Sequence, residues 1–271
     1  MNAPQHNLTQ PTPAEAHPVA RRGGRWIVPA SIVLGLLAWQ AAVWVLDQPA
    51  FILPSPLMVA ERFWRALADG SLLRHTAVTL TEVLLGLAAG SLLATVLGYL
   101  LARFPRLERL VSPYLVASQA VPVVAIAPLL VIWFGPGMFS KVLICALIVF
   151  FPVLVNTVVG LRAVPDHLRD LLRSMHATPL QMLTYLEIPA ALPVFLGGLR
   201  IGATLSVIGA VVGEFVGADR GLGFLINVAR GQFDTALVFA AILTLVGLAL
   251  GLYTAVIRAE HHLLRWQRRT E

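Results

Sequence analysis

The sequence predicts an all-α membrane protein: a polytopic bundle of six transmembrane helices with one long loop folded as helix, corner, helix. Three observations predict it. Of 271 residues, 58% are hydrophobic and 13% charged, where soluble domains average roughly 45–50% apolar and about 25% charged. Uncharged apolar runs close to the ~20 residues needed to cross a hydrocarbon core recur along the chain. The basic residues between those runs gather on alternate loops, as the positive-inside rule requires.

Residues 1–25 form a polar tail rich in Pro, Gln and His and read as disordered. No cleavage site follows the first apolar run, so that run is a span and not a secretory signal. The expected spans are residues 26–46, 83–102, 111–134, 142–161, 194–217 and 236–257, and 258–271 form a second tail. The transmembrane domain is therefore 26–257. Pro122 and Pro128 fall inside the third span, where each removes a backbone bond and can bend the helix. With both termini inside, thirteen of the twenty basic residues lie on the inner side, six lie outside, and Arg200 lies within a span. That distribution absorbs the net charge of +6 and leaves little for a nucleic-acid reading.

Two loops carry local signals. In the first outer loop, Ser55 is a good N-cap and Pro56 a good first residue. Leu57, Ala60, Phe63, Trp64 and Leu67 follow at helical spacing, and Gly70 can end an amphipathic surface helix. The inner loop 162–193 is too short for a catalytic domain. Pro165 can open a helix bearing Leu168, Leu171, Leu172 and Met175 at i, i+3, i+4 and i+7. Thr178, Pro179 and Gln181 make a capping box for a second helix, expected to stop ahead of Pro189. His176 sits at the corner between them, where a left-handed residue would let the chain turn. Such a pair either inserts into a groove on a partner protein or packs under its own bundle. The outer loop 217–235, with Gly221-Leu222-Gly223, reads as a partly buried or re-entrant segment.

The chemistry these residues exclude is broad. Cys145 is the only cysteine, which excludes an internal disulfide and a cysteine-based zinc site. Lys141 is the only lysine and does not sit in GxxxxGK[ST], so ATP chemistry must come from another chain. With no HExxH and no GxSxG, no residue is assigned a catalytic or metal-binding role. Polar groups within the spans invite a functional reading. Glu214, near the outer end of the fifth span, is a candidate gate or subunit-contact residue. Gln119 and Asn156 are expected either to hydrogen-bond across helices or to line the pathway, and Pro122 to shape it. Glu82 is expected near the interface, solvated or paired with Arg74 or another outer charge. Lys141 is expected as an interfacial anchor, and Arg200 is expected to snorkel. Small residues Gly86, Gly90, Ser91, Gly197, Gly198 and Gly202 would allow close helix contact.

Residues 170–189 resemble the signature loop of permease subunits of bacterial ATP-binding-cassette importers. That signature runs Glu-Ala-Ala, three residues, Gly, nine residues, Ile-x-Leu-Pro. Here Asp170-Leu171-Leu172 is followed at the same spacing by His176 and then by Leu186-Glu187-Ile188-Pro189. The triplet and the glycine position depart from the pattern. The resemblance extends over roughly residues 50–260, through the LPSP, QAVPVVAIAPLL and VVGEFVGADRGLGFLI stretches. It points to the branch serving nitrate, aliphatic sulfonates, taurine, thiamine pyrimidine precursors and riboflavin. It implies a homodimeric channel in the bacterial inner membrane, moving a small organic solute. The implied partners are ATP-binding-cassette ATPase subunits, which would hold ATP and magnesium, and a periplasmic or extracellular substrate-binding protein; this chain would bind no cofactor. The coupling role falls on Asp170, Leu171, Leu172, Arg173, Ser174, His176, Ala177, Thr178, Leu186 and Pro189. A secondary transporter or channel without an ATPase is the alternative.

Overall fold

The computed structural model describes residues 27–265; the tail 1–25, Trp26 at the start of the first expected span, and residues 266–271 lie outside the described residues. Among the described residues, five helices are long and apolar enough to cross a membrane, or six if one sharply bent pair counts as a span. The chain divides into two units, the first ending at Asp47. The first contributes α1 (Ile27–Leu46), an apolar helix of 20 residues.

The second unit opens with α2 (Pro56–Ala68), capped as the sequence predicts: the Ser55 hydroxyl accepts the Met58 N–H and Pro56 takes the first position. Val59 and Ala66 are buried while Leu57 and Trp64 are exposed. Gly70, at φ 75°, turns the chain into α3 (Ser71–Arg103). This span starts twelve residues before the expected Val83. Its first turns tolerate polar side chains because the Thr76 and Thr81 hydroxyls bond carbonyls one turn back and Thr79 and Glu82 are buried against other helices.

The third expected span is not continuous. It is α4 (Pro105–Gln119) and α5 (Val123–Phe134), bent by 94° at the break. Pro122 has no N–H and pushes Val121 away from helical geometry, so the ladder stops there. Pro128, by contrast, stays inside α5. Then follow α6 (Met138–Arg162), α7 (Asp166–Ser174) and α8 (Pro179–Met182).

The second loop helix does not stop ahead of Pro189. A π-helical turn, Leu183–Glu187, carries α8 straight into α9 (Ile188–Gly217). The Ile188 N–H bonds the Leu183 carbonyl, five residues back. The widened turn seats a residue that could not donate to the ladder in any case. One apolar helix of 39 residues, Pro179–Gly217, results. The outer loop contains α10 (Leu222–Gly231), and α11 (Thr235–Leu263) runs on past the expected end at Ile257.

Packing fixes the topology. A Cβ on Gly90 of α3 would come within 2.6 Å of the Ala146 carbonyl, and one on Gly209 of α9 within 2.9 Å of the Cys145 Cα. The α6 backbone is thus clasped between α3 and α9 through small residues, the form of association that works in lipid. Gly197 faces open space and takes no part in it. Matching positions rise together along α3 and α6 and oppose along α6 and α9, so α3 and α6 are parallel and α9 is antiparallel to both. Leu107, Val111 and Leu115 of α4 pack on Ala94, Leu101 and Leu154, while Ala127 and Leu130 of α5 pack on Ile144. The broken pair therefore crosses from the end of the bundle holding Arg103 and Arg162 to the end holding Met138. The first end also carries α7, α8 and the end of α11; the second carries α2, α10 and Glu214.

Candidate functional site

At the first end, the corner between α7 and α8 is closed by its own hydrogen bonds. The Ala177 N–H reaches the Leu172 carbonyl at 3.0 Å and the His176 N–H the Arg173 carbonyl at 2.9 Å. This double pattern is the Schellman motif, which demands a left-handed residue just past the helix. His176 supplies it at φ 57°. The Thr178 hydroxyl then accepts the Gln181 N–H at 3.3 Å while the Gln181 side chain accepts the Thr178 N–H at 2.8 Å, completing the capping box. The Ser174 hydroxyl bonds the Leu171 carbonyl, and Arg173 pairs with Asp170 at 3.0 Å.

The apolar stripe of α7 is only partly used by the chain. Leu168 and Leu172 turn inward. Leu171, Met175 and, across the corner, Leu180 are more than half exposed. The segment is gripped from behind by Glu187. Its carboxylate, 7% exposed, lies 3.6 Å from Arg103 of α3 and 3.8 Å from Arg169 of α7. Arg169 also donates to the Leu161 carbonyl at 2.7 Å and pairs with Asp166. Leu186 is half-buried beside it, and Pro189 lies in the first turn of α9. Glu187 escaped the sequence reading. Its signal was an acid between Leu186 and Ile188, in a segment whose arginines recur at i and i+4.

At the second end, Glu214 is 2% exposed and fully engaged. Thr79 of α3 donates its hydroxyl to Glu214 Oε1 at 2.6 Å and accepts the Leu222 N–H at 2.8 Å. The Gly223 N–H donates to Glu214 Oε2, and the Gly221 N–H donates to His75 Nδ1 at 3.0 Å. Three backbone N–H groups at the start of α10, left without intrahelical acceptors, are thus satisfied by α3 and α9. A Cβ at Gly221 would lie 2.2 Å from the Glu214 carboxyl carbon, which is why Gly-Leu-Gly stands there.

Glu82 pairs with an outer charge, one of its expected alternatives, whereas Lys141 corrects its expectation. Glu82 is 1% exposed, so it is not solvated; its partner is Lys141 at 4.0 Å, not Arg74. Lys141 is 3% exposed and donates to the Pro136 carbonyl at 2.8 Å, so it is a buried strut rather than an interfacial anchor. Arg200 does not reach for the interface alone. It pairs with Glu260 of α11 and lies 5.7 Å over the Tyr253 ring. Gln119 and Pro122 stand on an exposed surface on either side of the break in the third span. Asn156 bonds within its own helix rather than across helices. Its amide donates to the Pro152 carbonyl of its own helix at 2.7 Å, and its Cβ fills the space that Gly198 leaves. Among the described residues, no three His, Cys, Asp or Glu side chains are grouped so as to hold a metal ion.

A family profile described as "Binding-protein-dependent transport system inner membrane component" matches residues 86–266. The chain belongs to this family. It is 50% identical over 240 residues, 89% of this chain and 90% of the relative, to the riboflavin transport system permease protein of Chloroflexus aurantiacus. It is 39% identical over 234 residues, 86% and 93% of the two chains, to the formylaminopyrimidine transport permease protein of Halalkalibacterium halodurans. A solved inward-facing structure of the MetNI methionine ABC transporter matches with a TM-score of 0.63 at 20% identity, over 72% of this chain and 97% of that one. That likeness shows the fold. This chain is thus a multi-pass inner-membrane permease subunit of a binding-protein-dependent importer. It is not the ATPase, and it works with an ATPase and a binding protein. Membership displaces the secondary-transporter reading.

Proposed function

We propose that residues 170–189 dock the ATPase and that the chain works as a homodimer importing a small heteroaromatic solute of the flavin or pyrimidine-precursor class. Of the three claims, the docking role is supported by one observation above the rest: a corner fixed by a Schellman motif and a capping box that presents Leu171, Met175 and Leu180 without a partner. A rigid, apolar, protruding element fits a groove on another protein. Asp170 and Arg173 flank the patch and set its polar rim. ATP and magnesium belong to the partner, and this chain binds neither. The arginines at 103, 106, 109, 162, 169 and 173 support a cytoplasmic position for this end, and the distribution of basic residues supports the same side for both termini. Gln119 and Pro122, at the break between α4 and α5, line the pathway, and Glu214 holds the outer end closed through α10. The solute class is supported by the riboflavin and formylaminopyrimidine relatives.

A cysteine at Ala177 should crosslink to the ATPase in native membranes. Failure there and at Ser174 and Thr178 would remove the docking role. The solute is tested by uptake of labelled riboflavin and formylaminopyrimidine in cells carrying the complete transporter; accumulation of neither would remove the class.

A further inference from the structure

Three side chains on one face of α3 meet the end of α9 and the start of α10. His75, Thr79 and Glu82 are spaced i, i+4 and i+7, so they stand in a row along the helix. The first two are engaged by the Gly221 and Leu222 N–H groups and by Glu214. Glu82 is different. It is 1% exposed, and among the described residues no donor reaches its Oε2. The Lys141 ammonium lies 4.0 Å from Oε1, beyond hydrogen-bond length, and donates to the Pro136 carbonyl at 2.8 Å instead. The group that does come within hydrogen-bonding reach of the Glu82 carboxyl is the carboxyl of Glu214, itself 2% exposed. Two ionised carboxylates have no hydrogen to put between them.

We propose that Glu82 and Glu214 form a proton-binding site, with one proton held between them, that latches α3 to α9. The hydrogen bonds place the proton. Glu214 accepts the Thr79 hydroxyl on Oε1 and the Gly223 N–H on Oε2, as an ionised carboxylate does. Glu82 lacks such donors, so it is the acid, and its O–H donates to Glu214. The charges give the same count. Two carboxylates beside one ammonium leave a negative charge uncompensated in a buried setting, and one proton removes it. Carboxyls this close hold a proton in common because both cannot ionise side by side. The surrounding groups supply no second cation. Cys145 of α6 lies nearby, Asp219 is exposed and paired with Arg220 at 3.5 Å, and His75 is engaged by Gly221. The α5 helix carries no charged residue, Arg230 of α10 is exposed, and Asp234 ahead of α11 pairs with Arg62. Loss of the proton to water would set two negative charges face to face and push α3, with Thr79, away from α9 and α10. The latch is complete while the proton is held and is lost as pH rises through the point where it leaves. Its effect on closure rests on the reading of Glu214 as the contact that holds this end shut; the proton itself does not.

The test uses the full chain, purified in mild detergent with the subunits that accompany it. Infrared spectra would follow the carbonyl stretch of protonated carboxyls from about pH 6 to about pH 9, a range in which ordinary carboxyls are already ionised. The difference between the parent and Glu82→Gln should show one such band at about pH 7, fading as pH rises. Lys141→Gln removes the ammonium and keeps both acids, so it should hold the band to a pH about one unit higher or more. Melting temperatures are read over the same range. The amide of Glu82→Gln still donates to Glu214 but cannot ionise, so the parent should lose about 3 °C or more relative to it as pH rises. No band in the difference spectrum would mean that both acids are ionised, with a water molecule or a cation at Glu82 Oε2, and would overturn the site. A band that Lys141→Gln leaves unmoved would place the acid elsewhere and also overturn it; should Glu82→Gln not fold, this comparison decides alone. A band that titrates as expected beside melting curves that stay parallel would overturn the latch, while the closing role of Glu214 is tested separately by replacing Gly221.

Discussion

Replacing Gly221 by alanine probes the buried contact at the outer end. The Gly221 backbone, at φ 110° and ψ 165°, occupies a region essentially reserved to glycine, and a side chain there costs roughly 1–3 kcal/mol. The new Cβ would lie 2.2 Å from the Glu214 carboxyl carbon, so that carboxyl must leave. It would abandon the Gly223 N–H and the Thr79 hydroxyl in an apolar setting, at about 1–3 kcal/mol for each group left unsatisfied. Strain and lost bonds arise from one displacement and do not add in full, so the expected loss is about 3–5 kcal/mol. At about 2–4 °C per kcal/mol for a chain of this size, the melting temperature in detergent should fall by roughly 10 °C. Gly251→Ala is the matched control. Nothing lies within 4 Å of its Cβ position in α11, and alanine in a helix interior gains about 0.5–1 kcal/mol over glycine. If the Gly221→Ala protein melts within about 2 °C of the parent, the Gly-Leu-Gly turn is not held against Glu214, and the reading of this end is wrong.

Other perturbations act on the coupling end. Thr178→Ala removes the capping box and should cost about 0.5–2 kcal/mol, read as faster proteolysis of the corner with the transmembrane core intact. His176→Gly relieves a left-handed conformation that costs a side chain roughly 1–2 kcal/mol; the corner should resist proteolysis longer than the parent. Glu187→Gln leaves Arg103 and Arg169 without their shared carboxylate. Because Arg103 is 42% exposed, water screens part of the loss, and about 1–3 kcal/mol should be missing in thermal unfolding. Hydrogen bonds from the Ser71 hydroxyl and N–H hold the Asp69 carboxyl below its ordinary value of 3.8. This contact at the α2–α3 turn should therefore be complete above that pH and lost as pH falls below it, read as faster exchange of the Ser71 amide.

Much of this architecture was legible because the bilayer restricts it. Six apolar runs gave the helices, and the capping residues at Ser55 and Thr178 fixed two helix starts to the residue. Where the reading failed, tertiary partners had changed the meaning of a local signal. Pro189 stops an isolated helix, yet one π-helical turn admits it. Pro122 and Pro128 look alike in sequence, but only Pro122 breaks the span. Glu82 and Lys141 look like interfacial charges from their position near span ends, and nothing local says that they lie within 4.0 Å of each other. Thr79 could not have been chosen among the threonines of α3 without knowing that Glu214 and Leu222 arrive beside it.

The continuity of Pro179–Gly217 bears on how the two ends communicate. Its 39 residues make about 58 Å of helix at 1.5 Å per residue, well beyond the ~30 Å of a hydrocarbon core. The corner's capping box begins this helix and Glu214 lies near its far end. Its contacts with α6 at Gly198 and Gly209 leave no slack for gradual bending, so movement at the corner should reach the outer end as a rigid-body displacement. Gly197 offers a clean place to interrupt it, because nothing lies within 4 Å of its Cβ position. Gly197→Pro would remove one ladder bond and kink the helix at a cost of about 3 kcal/mol, with no clash outside the helix itself. The ATPase should still crosslink at Ala177 and hydrolyse ATP, while solute uptake drops at least tenfold. Uptake that survives with docking intact would mean that the corner and the Glu214 contact are linked by some other path, through α7 and α6 rather than along α9.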